Sequence, residues 1–142
     1  MQRQFTKRIP ALADLSLSYL ERLNRLNLES LERRRLNFDL CYYYKILNNL
    51  TSHNPADFFA FHHPPASLRN NTPLLKKPTN YSKSILSSFR FRAVYCWNNL
   101  SDQLKQCNSL PVFKKHLKML NLDSFLYGSC YTNNILNSTL FS

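Results

Sequence analysis

Four cysteines and four histidines are the side chains of this 142-residue sequence best suited to hold a metal ion or attack an electrophile. Their spacing advertises neither role. Cys41, Cys96, Cys107 and Cys130 contain no C-x-x-C pair, and His53, His62, His63 and His116 supply no H-x3-5-H pair, so no zinc site is written in the sequence. Buried free thiols are the expectation. A cysteine nucleophile and its histidine meet only in the fold, and nothing in the spacing flags such a pair. Metal-dependent phosphoryl transfer needs clustered carboxylates, yet Asp14, Glu21, Glu29, Glu32, Asp39, Asp57, Asp102 and Asp123 include no adjacent pair. With one glycine in the chain, a Gly-rich phosphate cradle is excluded too. The sequence therefore reads as non-enzymatic, with no metal and no cofactor.

The basic side chains offer different chemistry. The net charge is +11, and it is unevenly placed: residues 1–60 carry nine basic and six acidic side chains, residues 61–142 ten and two. An anionic partner follows, and the RNA or DNA backbone is the commonest one. Flexible cations on exposed faces neutralise phosphates without reading bases, which makes Arg33, Arg34, Arg35, Lys76, Lys77, Lys114, Lys115 and Lys118 the candidate contacts. Charge that only keeps a helical surface solvated is the competing account.

Those cations need elements to hold them. Leu17, Leu20 and Leu23, edged by Tyr19 and Leu26, recur at helical intervals and stop at Asn27; Glu21 and Arg25 form an i,i+4 pair on the polar face. A second, longer helix starts at the N-cap Ser30 and buries Leu36, Leu40, Tyr43, Tyr44 and Leu47. The short link between the two predicts an antiparallel hairpin. Residues 51–83 hold five of the seven prolines and no sustained period, with a helical turn near Asp57 to Phe61 and an extended piece over Leu74 to Lys77. A third helix runs from Ser84 to Trp97, with Ile85, Phe89, Tyr95 or Cys96, and Leu100 on one face, Asn98 and Asn99 as its left-handed cap, and Arg92 paired near Asp39 or another acid. The fourth starts after Ser109, takes Pro111 in its first turn and buries Val112, Phe113, Leu117 and Leu120.

The expected fold is mainly α: a helix hairpin plus two further helices around one core, with a long Pro-rich loop holding at most a short β piece. Residues 1–15 read as a lead-in, 16–122 as a single helical domain and 123–142 as a disordered tail. Trp97 reads as a core side chain, with stacking on an unpaired base as its alternative use. No apolar run reaches the roughly 20 residues a membrane span needs, and no apolar stretch backs the basic start. An intracellular chain, cytoplasmic or nuclear, is the expectation, and the N-x-S/T sequons at Asn49, Asn70, Asn80, Asn99 and Asn137 are then incidental.

Several stretches in order carry a resemblance: QRQFTKRI at 2–9, LSYLERLNRLNLESLERRRLNFDLCYYYKILNN at 17–49, DFF at 57–59, FRFRAVYCWNNL at 89–100 and SLPVFKKHL at 109–117. Their order and spacing resemble the region downstream of the polymerase domain in reverse transcriptases of non-LTR, LINE-type retrotransposons of the jockey, CR1 and L2 kinds. The matching positions are Phe5 through Arg8, then Tyr19, Arg22, Leu23, Leu26, Leu28, Leu31, Arg34 and Arg35. Asp39, Leu40, Tyr44, Lys45 and Ile46 follow, then Phe89, Arg92, Trp97, Asn98 and Leu100, and last Ser109, Phe113, Lys114 and Leu117. The sequence departs at Ser101, where the family has proline, and at Asn71, Thr72 and Pro73, where it has Thr-Arg-Gly. The resemblance implies an RNA-directed DNA polymerase as parent protein, with its paired catalytic aspartates upstream. This chain would then be a non-catalytic accessory segment that binds nucleic acid or, alternatively, a helical module that packs on the polymerase domain with no ligand of its own.

Overall fold

A computed structural model describes residues 1–12, 16–62, 74–77, 79 and 82–126, the side chains of Lys83 and Leu86 excepted. His63, Cys130, most of the Pro-rich loop and tail residues 127–142 lie outside the described residues. The fold is mainly helical. It divides into two compact units, Met1–Arg35 and Leu36–Ser142. The division falls inside the longest helix and separates the expected hairpin's first helix from all but the first turn of its second, whereas the sequence reading drew its first boundary at residue 16.

The first unit contains α1 (Gln2–Lys7), a 3-10 turn (Pro10–Leu12), α2 (Tyr19–Arg25) and the start of α3 (Leu31–Leu47). The lead-in is thus partly helical, and polar side chains hold it. Gln2 Oε1 accepts from Tyr19 Oη at 2.6 Å and from the Leu31 N–H at 2.9 Å, while Gln2 Nε2 donates to the Glu29 carbonyl. Buried Thr6 accepts from Nε of buried Arg22 at 3.3 Å, and Arg22 also donates to the Leu17 carbonyl. Ser18 opens α2 in a capping box with Glu21, satisfying two orphan N–H groups reciprocally. Leu23 is buried as expected, but Leu20, expected beside it, is 53% exposed.

Both of the first long helical runs end on asparagine. Asn27 and Asn49 have φ of 51° and 53°, the left-handed region usually left to glycine. In each case the two bonds of a Schellman motif form: Leu28 N–H to Leu23 O and Asn27 N–H to Asn24 O after α2; Leu50 N–H to Lys45 O and Asn49 N–H to Ile46 O after α3. A sequence with one glycine uses the residue that tolerates this conformation next best.

The second unit holds the rest of α3, α4 (Pro55–Phe58), β1 (Phe61–His62), β2 (Leu74–Leu75), α5 (Lys83–Leu86), α6 (Phe89–Arg92), α7 (Val94–Asn99), α8 (Asp102–Lys105), α9 (Leu110–Met119) and a last 3-10 turn (Asp123–Phe125). β1 and β2 pair antiparallel, Phe61 opposite Leu75. The core gathers Leu36, Leu40, Tyr43, Tyr44 and Ile46 of α3 with Trp97, Leu100, Leu104, Phe113 and Leu117. Tyr43 contacts Phe59, Phe89 and Trp97 through its ring, and Tyr44 stacks on Phe113 at 4.5 Å and 25°. Trp97 is a core residue, in line with the first of its two readings.

Four expectations are corrected. The helix expected from Ser84 to Trp97 is broken into α5, α6 and α7 by Ser87–Ser88 and Ala93, so one continuous apolar face does not form and Ile85 is left exposed. Asn98 and Asn99 are helical rather than left-handed caps: Asn98 Oδ1 accepts from the Leu75 N–H and Nδ2 donates to the Leu75 carbonyl, which ties β2 to α7. Val112 and Leu120 are exposed: the inward side chains of α9 are the buried Phe113 and Leu117, with Leu110 packed partly buried against the core. Residues 123–126 do not fray as tail, since Leu126 is buried and Phe125 packs against the core.

Candidate nucleic-acid interface

α9 begins with proline in its first turn and is fixed by two side chains one turn apart, Phe113 and Leu117, both buried. That choice dictates where its cations point. At 100° per residue Lys114, Lys118 and Lys115 fall within an arc of about 100° beginning beside the buried stripe, and all three are exposed. No acid lies on this helix.

One of these lysines acts on a thiol of α3. Lys114 and Lys45 both act on Cys41: burial pushes its thiol above the ordinary range, and the two ammonium groups pull it back in part. Lys45, half-buried in the last turn of α3, is a further cation acting on that thiol and is not among the eight candidates named from the sequence. Its signal was present in the sequence as the only cation on α3 beyond Arg35.

The other candidates lie elsewhere. Lys76 and Lys77 are exposed after β2, positioned by the Asn98 clasp on Leu75 and by the Lys76 N–H bond to the Ala60 carbonyl at 2.7 Å. Lys77 Nζ sits 5.1 Å over the Tyr95 ring. In the first unit Arg34 and Arg35 are exposed, while Arg33 is half-buried and 3.9 Å from Glu29. Within the second unit, then, Lys114, Lys115 and Lys118 share α9, and Lys76 and Lys77 stand on a separate element.

Four further cations are committed to the fold. Arg22 is held by Thr6; Arg90 donates to the carbonyls of Phe58 and Asp57; Arg92 forks onto Asp39. Lys105 is buried, donates to the Asn98 carbonyl at 3.2 Å and pairs with Asp102 at 3.6 Å; burial holds its ammonium below the ordinary range, and Asp102 offsets that in part.

The structure also assembles a pair that spacing did not reveal. Cys107, between α8 and α9, places Sγ 3.7 Å from His116 Nδ1. Among the described residues no group of three or more His, Cys, Asp or Glu side chains could hold a metal ion, and no helix is long and apolar enough to cross a membrane. No family model, no curated protein and no solved structure matches the chain.

Proposed function

We propose that this chain is a non-catalytic accessory segment of a retrotransposon reverse transcriptase that binds the nucleic-acid backbone near the polymerase. Ordered motifs covering residues 2–122 support the family, and the exposed lysine arc of α9 supports the activity. A polyanion laid along Lys114, Lys118 and Lys115 meets no carboxylate on that helix. The contacts are to phosphate, so binding is independent of sequence and driven by counterion release.

The test is a titration with single-stranded RNA across a salt series. Affinity falls steeply with salt, and replacing Lys114, Lys115 and Lys118 together by alanine weakens binding to every sequence and flattens the log–log salt slope by up to about two units. An unchanged slope would reduce the lysines to a solvated face. Polymerase chemistry belongs to the upstream domain in this reading, and the isolated chain should not extend a primer on an RNA template.

A second reading has its own support. Many of the positions that carry the family resemblance are spent internally: Thr6 on Arg22, Asp39 on Arg92, Tyr44 and Trp97 on Phe113. Such motifs preserve a framework, as a module that only packs on the polymerase domain would require. Undetectable RNA binding at low salt would favour this alternative.

A further inference from the structure

Three cysteines of the second unit sit in contrasting surroundings. Cys96 is buried in the core. Cys41 is half-buried, and burial disfavours its thiolate. Cys107 is half-buried too, but its Sγ lies 3.7 Å from the Nδ1 atom of an exposed imidazole, and 3.6 Å from the Gln103 carbonyl as the alternative resting place for its proton. The backbone of Cys107 is pinned, because the phenol of buried Tyr44 donates to its carbonyl. His116 is fixed from the other side by α9, whose buried Phe113 and Leu117 leave it on a flank roughly 160° around the helix from Lys114. The pair is therefore no part of the lysine arc, and nothing in the proposed function uses it.

We infer that Cys107 and His116 form a thiol-exchange site that takes low-molecular-weight disulfides such as oxidised glutathione. Nδ1 accepts the thiol proton, and the imidazolium holds the thiolate beside it. The thiolate attacks one sulfur of the disulfide; a new sulfur–sulfur bond forms as the old one breaks, and the departing thiolate takes its proton from the imidazolium. The product is one glutathione bound to Cys107 and one released as thiol, with no further oxidant consumed. Reduction by a second thiol reverses the step.

The experiment follows the reduced full chain in excess oxidised glutathione, quenched with acid at intervals and mapped by peptide mass for each cysteine. Cys107 is expected to be modified about tenfold or more faster than Cys41 and Cys96, and faster in the folded chain than in the same chain unfolded in urea, where His116 no longer stands beside it. His116→Ala lowers the folded rate at Cys107 to that of the unfolded chain and leaves Cys41 unchanged. A folded rate at Cys107 no higher than the unfolded rate, or one indifferent to His116→Ala, overturns the inference. The comparison with urea keeps the test decisive if the variant folds poorly.

Discussion

Arg92 grips Asp39 with two parallel N–H bonds, from Nε and Nη2 to the two carboxylate oxygens, the second at 2.6 Å, across 53 residues of sequence. The Asp39 side chain is almost fully buried on α3, and the Arg92 side chain is about three-quarters covered on α6. Two donors match two acceptors in one plane, a geometry that lysine cannot reproduce. The pair fixes the register of α6 against α3 where α6, four residues long, has little helical stability of its own.

Removing one partner should cost more than removing both. Arg92→Ala leaves a carboxylate buried and uncompensated, with an expected loss of about 2 to 5 kcal/mol. The double variant Asp39→Leu with Arg92→Met should lose clearly less. Urea unfolding of the two single variants and the double variant measures the coupling, and additive losses would show that the pair is incidental.

Leu40 is fully buried on the same helix and belongs to the same core cluster as the aromatic side chains of Tyr43, Tyr44, Trp97 and Phe113. Flat rings cannot collapse readily into the space a leucine leaves, so Leu40→Ala should destabilise by about 2 to 5 kcal/mol. A loss below about 1 kcal/mol in denaturant unfolding would place Leu40 at a plastic site.

Alkaline pH offers a test with opposite signs at two residues. Burial raises the Cys41 thiol above its ordinary 9.0, so the neutral thiol favours the folded state: this contribution is intact below pH 9.0 and is lost as pH rises through the folded value. Lys105 is lowered below 10.5, so its burial costs stability at neutral pH and that cost fades as pH climbs through the lowered value toward 10.5. Cys41→Ala should make the stability loss above pH 9.0 shallower, and Lys105→Met should make it steeper. Parallel pH profiles for wild type and both variants, under reducing conditions, would contradict both assignments.

What the sequence disclosed followed apolar spacing. Leu36, Leu40, Tyr43 and Tyr44 recur as a helix face, and Phe113 with Leu117 do the same, so α3 and α9 were legible. Arg92 was expected near Asp39 or another acid, and the structure pairs it with Asp39. α1 was not legible, since its anchors Gln2 and Thr6 act through hydrogen bonds that leave no hydrophobic period. The break of one expected helix into α5, α6 and α7 was missed for a similar reason: Ile85, Phe89, Cys96 and Leu100 fit one period on paper, while the tertiary pull of Tyr43 on Phe89 and Trp97 overrode it. The Tyr43 phenol donating to the carbonyls of Phe89 and Arg90 fixes that bend. Of the candidate site, the α9 lysines were legible as a run on a helix, but the influence of both Lys114 and Lys45 on the Cys41 thiol depends on how α9 lies against α3. Cys107 and His116 sit on either side of a helix start, a separation that matches no recognised metal or nucleophile spacing.

The asparagine caps give a prediction confined to backbone geometry. Asn49 closes α3 at φ 53° with both Schellman bonds made, yet the leucine that follows, Leu50, is 55% exposed and adds no hydrophobic seal. The motif therefore stands on the conformation of one residue. Alanine in the left-handed region crowds its Cβ against the following carbonyl oxygen and costs about 1 to 2 kcal/mol, whereas glycine has no Cβ and gives up unfolded-state entropy instead. Asn49→Ala should thus lower stability by about 1 kcal/mol, asparagine itself bearing part of the strain, and Asn49→Gly should stay within about half a kcal/mol of wild type. Asn27→Ala and Asn27→Gly should behave alike at the end of α2, where Leu28 is likewise exposed. Thermal and urea unfolding of the four variants reads the difference. Equal effects of alanine and glycine at either position would mean that the side-chain amide, and not the positive φ, holds the helix end.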